Sequence, residues 1–472
     1  MRNCIKAIVV IGLWAGLAQA APARAFELKN GDSVVFIGET VMEQSGFPNM
    51  VETFVRTRYP DLELRFFIST MPNEIAADGF FRLDRDVLSL NPAPTVAVIG
   101  YGLFDPRLSP FNQDLYNEFY ESVERMIEKL KAHKTRVWLL TPPSVDEATS
   151  GRLQKLRFNE VLGAYADGVR ELAKKHDTGL LDVFKITQET LEAYRLKDPR
   201  FGLFVPDSLK PQHAMGLLLS AELLKAWQAE PIVTTVTVDW DAKQATVDSV
   251  AGNAVAQVQV INQDEYLVDI KGLPVMWPLL HPKSFRPTQF WPPGELSKTI
   301  LKVNNCPATG LVFGKLSEPN PMLKPFLETE GVDVSMFDPI RSNPDATAIA
   351  QAVLEKNNIR TKEWWRKRQL QQVDREELRA AQAAMDKTME MYVLGWLDIV
   401  NKLPKSFDAT FRLSSLTPEI IRRTEAAVNA AEAARREAAA ARRRSKPAAP
   451  AVPPGSAAPQ SEPNPAPAAE GK

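Results

Sequence analysis

The 472-residue chain has two cysteines, four histidines and almost no net charge, and each shortage excludes something. Cys4 sits just ahead of an N-terminal apolar stretch, so the rest of the chain keeps only Cys306 and no internal disulfide is expected. Cys306 precedes Pro307, with no patterned histidine or acid nearby, which reads as a turn residue rather than a thiol nucleophile. His133, His176, His213 and His281 have no ligand-like spacing, so no metal site is expected. No glycine-rich phosphate loop is present, and no cofactor is expected. A formal charge of −1 gives no field that would gather nucleic acid or an anionic membrane. Beyond the N-terminus no run is apolar enough to cross a bilayer.

The N-terminus itself is distinctive. Arg2 and Lys6 precede Ile8-Val9-Val10-Ile11-Gly12-Leu13-Trp14, and Ala18-Gln19-Ala20 and Ala23-Arg24-Ala25 follow. A basic start, a short apolar core and small residues at a cleavage point predict a secretory signal peptide over 1–25 and export to the periplasm or beyond.

Residues 27–230 alternate short apolar runs with amphipathic stretches. Val34-Val35-Phe36-Ile37, residues 62–68, Thr95-Val96-Ala97-Val98-Ile99, Arg136-Val137-Trp138-Leu139-Leu140 and Gly179-Leu180-Leu181-Asp182-Val183 read as strands, with helices such as 115–131 and 157–175 between them. This alternation predicts an α/β domain, a parallel sheet sandwiched by helices, with its site at the carboxyl ends of the strands. Residues 231–318 show period-two alternation and predict a small antiparallel β domain. Residues 319–417 read as a helical region, with Trp364-Trp365-Arg366 packing it onto the first domain. Residues 418–472 read as an Ala/Arg-rich helix followed by an Ala/Pro tail too poor in apolar residues to fold.

Within 27–230 several segments occur in a telling order: Asn30-Gly31-Asp32 before Val34-Val35-Phe36-Ile37-Gly38; Val98-Ile99-Gly100-Tyr101-Gly102; Arg157-Phe158-Asn159 with Tyr165-Ala166-Asp167; and Pro206-Asp207-Ser208-Leu209-Lys210-Pro211 before a closing helix. In this order the chain resembles the SGNH/GDSL hydrolases, in particular secreted bacterial members with a C-terminal extension. The resemblance implies a flavodoxin-like fold and ester hydrolysis by a serine after the first strand. Gly31-Asp32-Ser33 spells the family's motif but precedes that strand, so Ser33 is expected to be a turn residue at the wrong end of the sheet. The position after the strand is Gly38-Glu39-Thr40, where Thr40 keeps a hydroxyl but crowds it with a methyl group.

The other family positions depart further. The oxyanion glycine after the second strand falls on Pro72, which has no N–H, with Ser69 or Asn73 as substitute donors if the register slips. Gly-x-Asn-Asp becomes Gly102-Leu103-Phe104-Asp105, so the amide donor is replaced by Phe104 and an acid, Asp105, stands beside it. The Asp and His of the last block become Asp207 and Lys210, and an ordinary lysine is protonated at neutral pH and cannot act as a base. His213, three residues on, would serve only in a shifted loop. The expected site is therefore Thr40, Asp207, Lys210 and His213, in a pocket of Gly38, Glu39, Pro72, Asn73, Gly102, Phe104 and Asp105. Three functions fit this pattern: an exported, catalytically degenerate protein that binds a glycan or an acylated polysaccharide; an active esterase or deacetylase using Thr40; or a cell-envelope scaffold.

Overall fold

The computed structural model describes residues 26–249, 254–275, 277, 292–307, 310–314, 320–335, 344–370 and 376–444. The expected signal segment, the Ala/Pro tail and the side chains of Trp364 and Trp365 lie outside the described parts.

The first domain runs β1 (Ser33–Gly38), α1 (Thr40–Gln44), α2 (Phe47–Arg58), β2 (Arg65–Thr70), α3 (Ala76–Leu83), β3 (Val96–Gly100), α4 (Gln113–Ala132), β4 (Arg136–Leu140), α5 (Gly151–Leu156), α6 (Phe158–His176), β5 (Gly179–Leu181), α7 (Val183–Arg195) and α8 (His213–Ala226). The five strands form one parallel sheet in the order β2-β1-β3-β4-β5. This is the doubly wound arrangement that the strand–helix alternation and the SGNH resemblance implied. Strands buried on both faces must be apolar throughout, and every residue of β1 is buried. Helix α2 packs against α8, and α3, α4 and α6 pack side by side. The order of strand addition reverses between β1 and β3, and ligands of such sheets gather at that crevice.

The later strands are β6 (Ile232–Asp239), β7 (Gln244–Ser249), β8 (Val255–Asn262), β9 (Glu265–Pro274), β10 (Lys298–Asn304), β11 (Leu311–Phe313) and β12 (Asn320–Met322). The short helix α9 (Lys324–Glu328) and β13 (Val332–Asp333) come next, followed by α10 (Pro344–Leu370), α11 (Glu376–Lys402), β14 (Ser406–Ser415) and α12 (Pro418–Arg444). Two sheets result, β13-β10-β6-β7 and β12-β11-β14-β9-β8. Two features differ from expectation. β6 and β10 pair in parallel, so the first sheet is mixed. β12, β13 and β14 lie inside the stretch read as helical, and β14 sits between β9 and β11. Its inward residues Ala409, Phe411 and Leu413 alternate with period two and are buried. The pairing overrides the helical neighbourhood because β9 and β11 would otherwise each present an open edge to water. Among the described residues no helix is long and apolar enough to cross a membrane.

Buried polar groups on α2 join the parts. The Glu52 carboxylate is 1% exposed and accepts from Lys356 Nζ at 2.5 Å and from Asn357 Nδ2 at 2.9 Å, both on α10. Burial alone would raise its pKa, but the charges of Lys356 and Arg56 outweigh that and hold it below the usual value. Arg58 donates to the carbonyls of Glu230 and Leu296. Trp277 Nε1 donates to the Met50 carbonyl at 3.1 Å. Leaving one member of a buried ion pair unmatched typically costs about 3–5 kcal/mol. Lys356→Ala leaves Glu52 only Arg56 and Asn357 and is expected to lower the unfolding free energy by up to that order, read as a lower denaturant midpoint, while Glu52→Leu with Lys356→Met recovers most of the loss. An unchanged midpoint in Lys356→Ala would show that this pair does not clamp α10.

Candidate functional site

Gly38 at the end of β1 leaves room for the carbonyl end of β3, and Gly100 leaves room for the Met42 side chain. A Cβ on Gly38 would stand 2.5 Å from the Gly100 carbonyl oxygen. Directly after Gly38 the chain turns into α1. Glu39 is the N-cap, and its carboxyl accepts from the Val41 amide at 3.2 Å, one of the N–H groups that a helix start leaves without a partner. Thr40 is the first helical residue and is buried.

The loop after β2 then closes over this turn. The Met71 amide donates to the Gly38 carbonyl. Pro72 follows, half-buried, and Asn73 adopts a left-handed backbone (φ 59°). That conformation, which asparagine tolerates better than most residues, aims the Asn73 N–H at Thr40 Oγ1, 2.7 Å away. Thr40 Oγ1 in turn lies 3.4 Å from Asn73 Oδ1. The substitute donor raised by the sequence is thus Asn73, and its partner is the threonine hydroxyl itself. Ser69 is committed elsewhere: Arg82 Nη2 donates to its carbonyl at 2.8 Å and to Glu74 at 2.6 Å, and Tyr101 Oη donates to the same carboxylate at 2.9 Å.

The third strand supplies Gly102, Phe104 and Asp105. Gly102 has φ 114° and faces the Pro142 ring, which a Cβ would meet at 3.1 Å. Phe104 packs against the apolar core. Asp105 is buried and accepts from the amides of Ala76 at 2.8 Å and Gly102 at 2.9 Å, so it binds the β2 and β3 loops together. Burial pushes the Asp105 carboxyl up to about 7 against the pull of those amides. Burial, with the Asp105 charge adding, pushes Glu39 up to about 8. Two carboxyls at the strand ends therefore hold protons that free acids would release.

The residues expected to supply acid and base lie on the turn before α8 and at its start. Phe204 and Pro211 form an isolated bridge, and the Val205 amide donates to the Lys210 carbonyl, so 204–211 is a tight turn. Asp207 (φ 53°) and Lys210 are both exposed on it and join no ion pair among the described residues. His213 opens α8 and is half-buried. Three residues on, Gly216 lies against the Ser45 carbonyl, which a Cβ would meet at 2.1 Å, so this helix starts beside the end of α1. Ser33, at the amino end, is the first residue of β1 and fully buried rather than a turn residue. Asp32 beside it is paired with Arg136 at 2.7 Å.

The structure thus brings Gly38, Glu39, Thr40, Pro72, Asn73, Gly102 and Asp105 to one end of the sheet and leaves Asp207 and Lys210 on an exposed turn. One group that spacing in sequence did not reveal is Glu124, Glu128 and His176. They converge at the opposite end of the sheet, where α4 and α6 finish and β4 and β5 begin. Only the one-turn spacing of the two glutamates was legible in the sequence.

No protein-family model matches the chain, and no curated protein does. Among solved structures, its shape is similar to that of a gut microbial diltiazem-metabolizing enzyme, with a TM-score of 0.64 and 17% identity over 82% of this chain and 98% of that one. A lipase/acylhydrolase from Enterococcus faecalis (TM-score 0.34, 22% identity, 42% of this chain and 95% of that one) also matches. So does a variant acetyl-xylooligosaccharide esterase from Geobacillus (TM-score 0.36, 17% identity, 43% and 96%). The first likeness shows the fold, and nothing further rests on the other two.

The raised Glu39 value has a testable consequence. An unfolded glutamate releases its proton near 4.5 and the folded one near 8. Between those values the folded state binds more protons, so its stability falls as pH rises. Glu39→Gln removes that dependence. Urea unfolding at pH 5 and pH 9 is expected to show the difference between Glu39→Gln and wild type moving in the variant's favour by at least about 1 kcal/mol. A constant difference would mean that Glu39 is ionised at both pH values.

Proposed function

We propose that this chain is an exported SGNH-fold protein that has lost ester hydrolysis and keeps the strand-end site for binding a glycan or an acylated polysaccharide. The hydrogen bond from the Asn73 amide to Thr40 Oγ1 carries this reading. An ester hydrolase needs an unencumbered nucleophile, a base to take its proton, and donors aimed at the oxyanion. Pro72 has no amide, and the next donor in the loop is already taken up by the hydroxyl that would have to attack. Phe104 offers no donor where an amide side chain would stand. Lys210 is an exposed cation where a neutral imidazole is needed.

Magnitudes support this reading. Losing one oxyanion donor costs about 100- to 1,000-fold in rate. Two donors and the base are affected here, and all three act on one transition state. Export rests on the basic, apolar and small-residue segments of 1–25, and the ligand class on what the resembled family handles. The diltiazem-metabolizing enzyme shares the fold at 17% identity, which carries no chemistry across.

The test is hydrolysis of a short-chain aryl acetate by the protein lacking residues 1–25, beside Thr40→Ala, with retention on acetylated polysaccharide measured in parallel. The expected result is no turnover above the buffer rate in either protein and saturable retention of both. Turnover that disappears in Thr40→Ala would overturn the reading in favour of an esterase, with His213 or Lys210 as the base to examine. No retention and no turnover would leave the scaffold role.

A further inference from the structure

Far from the strand-end site, α4 and α6 bring together three side chains that suit a metal ion. Glu124 and Glu128 are one helical turn apart on α4 and so share a face. His176 is the last residue of α6, the neighbouring helix. One ligand atom from each of the three lies within 4.8 Å of the others. His176 Nε2 is 2.6 Å from Glu124 Oε1, and these two side chains retain only 16% and 18% exposure, while Glu128 opens to solvent.

A cation is already held at this point. Lys175 Nζ lies 2.7 Å from the same Glu124 oxygen, so one carboxylate oxygen meets both the ammonium and the His176 ring. The charges of Glu128 and Glu171 also act on Lys175. Lys131 Nζ donates to the His176 carbonyl and ties the end of α6 to α4. The local field therefore favours positive charge, and the side chain now supplying it is 53% exposed and able to swing away.

We propose that Glu124, Glu128 and His176 form a binding site for a divalent transition-metal ion, zinc above all, with Lys175 as its built-in competitor. One imidazole and two carboxylates match the ligand chemistry of zinc and leave a coordination position for water. Binding replaces the direct contact between His176 Nε2 and Glu124 Oε1 and displaces the Lys175 ammonium. The ion clips the end of α4 to the end of α6 at the amino edge of the sheet. This inference is independent of what happens at Thr40.

The experiment is calorimetric titration of the purified full chain with zinc chloride at pH 7.5, with cobalt(II) absorption as a second readout. Wild type is expected to bind one equivalent saturably and to melt at a higher temperature when loaded. His176→Ala and Glu128→Gln are each expected to weaken binding at least about tenfold, since even loss of an outer-sphere partner costs about 10- to 100-fold. Lys175→Ala is expected to bind several-fold more tightly (roughly, by removing a competing charge), a gain that no folding defect can imitate. The cobalt visible bands should be lost in His176→Ala. Absence of saturable binding in wild type, or binding that His176→Ala leaves unchanged, would overturn the proposal. So would weaker binding in Lys175→Ala.

Discussion

A carboxylate sealed away from water has to be met by positive charge, and at Glu52 that requirement organises the molecule. Glu52 lies on α2, in the first domain, but its nearest cation, Lys356, lies 304 residues later on α10. Asn357 adds a second contact to the same carboxylate and a third to Asn49. A buried pair of this kind is weak evidence for net stability, because desolvation offsets much of the attraction. Its force is directional: α10 can seat on α2 in only one register without stranding a charge. α11 then packs along α10 and hands the chain to β14. The seat of α10 thus bears on the completion of the β9–β14–β11 sheet.

The strand-end site depends on a second constraint, the close packing at the ends of β1 and β3. Gly38 leaves room for the carbonyl end of β3 and Gly100 for the Met42 side chain, and the loops that follow the two strands are drawn over the same point. Asp105 then binds the loop of β2 to that of β3 through two backbone amides. Several of its groups are matched to one another, with Asn73 on Thr40, Ala76 and Gly102 on Asp105, and Val41 on Glu39. Burial raises the pKa of both Glu39 and Asp105, which lessens the negative charge enclosed in this turn.

Much of this architecture was legible in local pattern. All five strands of the parallel sheet were visible as short apolar runs, and α4 and α6 as amphipathic stretches. The departures at Pro72, Phe104 and Lys210 were visible because each replaces a donor or base by a residue that has none. Ser33 was placed at the amino end by its position before an apolar run, though as a turn residue rather than the first residue of the strand. β14 was missed despite the alternation of Phe407, Ala409, Phe411 and Leu413. Its length resembles a helix end as well as a strand, and its partners are β9 and β11, more than ninety residues upstream.

What the sequence determined alone is whatever depends on neighbours in the chain: which stretches alternate, which turn, and which chemical groups are absent. Side-chain periodicity and the lack of an N–H on proline are properties of contiguous residues, so they survive without a structure. Tertiary structure alone decided that Asn73 rather than Pro72 faces Thr40, that Asp207 and Lys210 sit on an exposed turn, that Lys356 answers Glu52, and that His176 meets Glu124. Each of these is a match between charge or hydrogen-bond partners brought together from distant parts of the chain or set by the conformation of one loop. Such matches leave no period in the sequence, because only the packing of helices on a sheet fixes which surfaces meet.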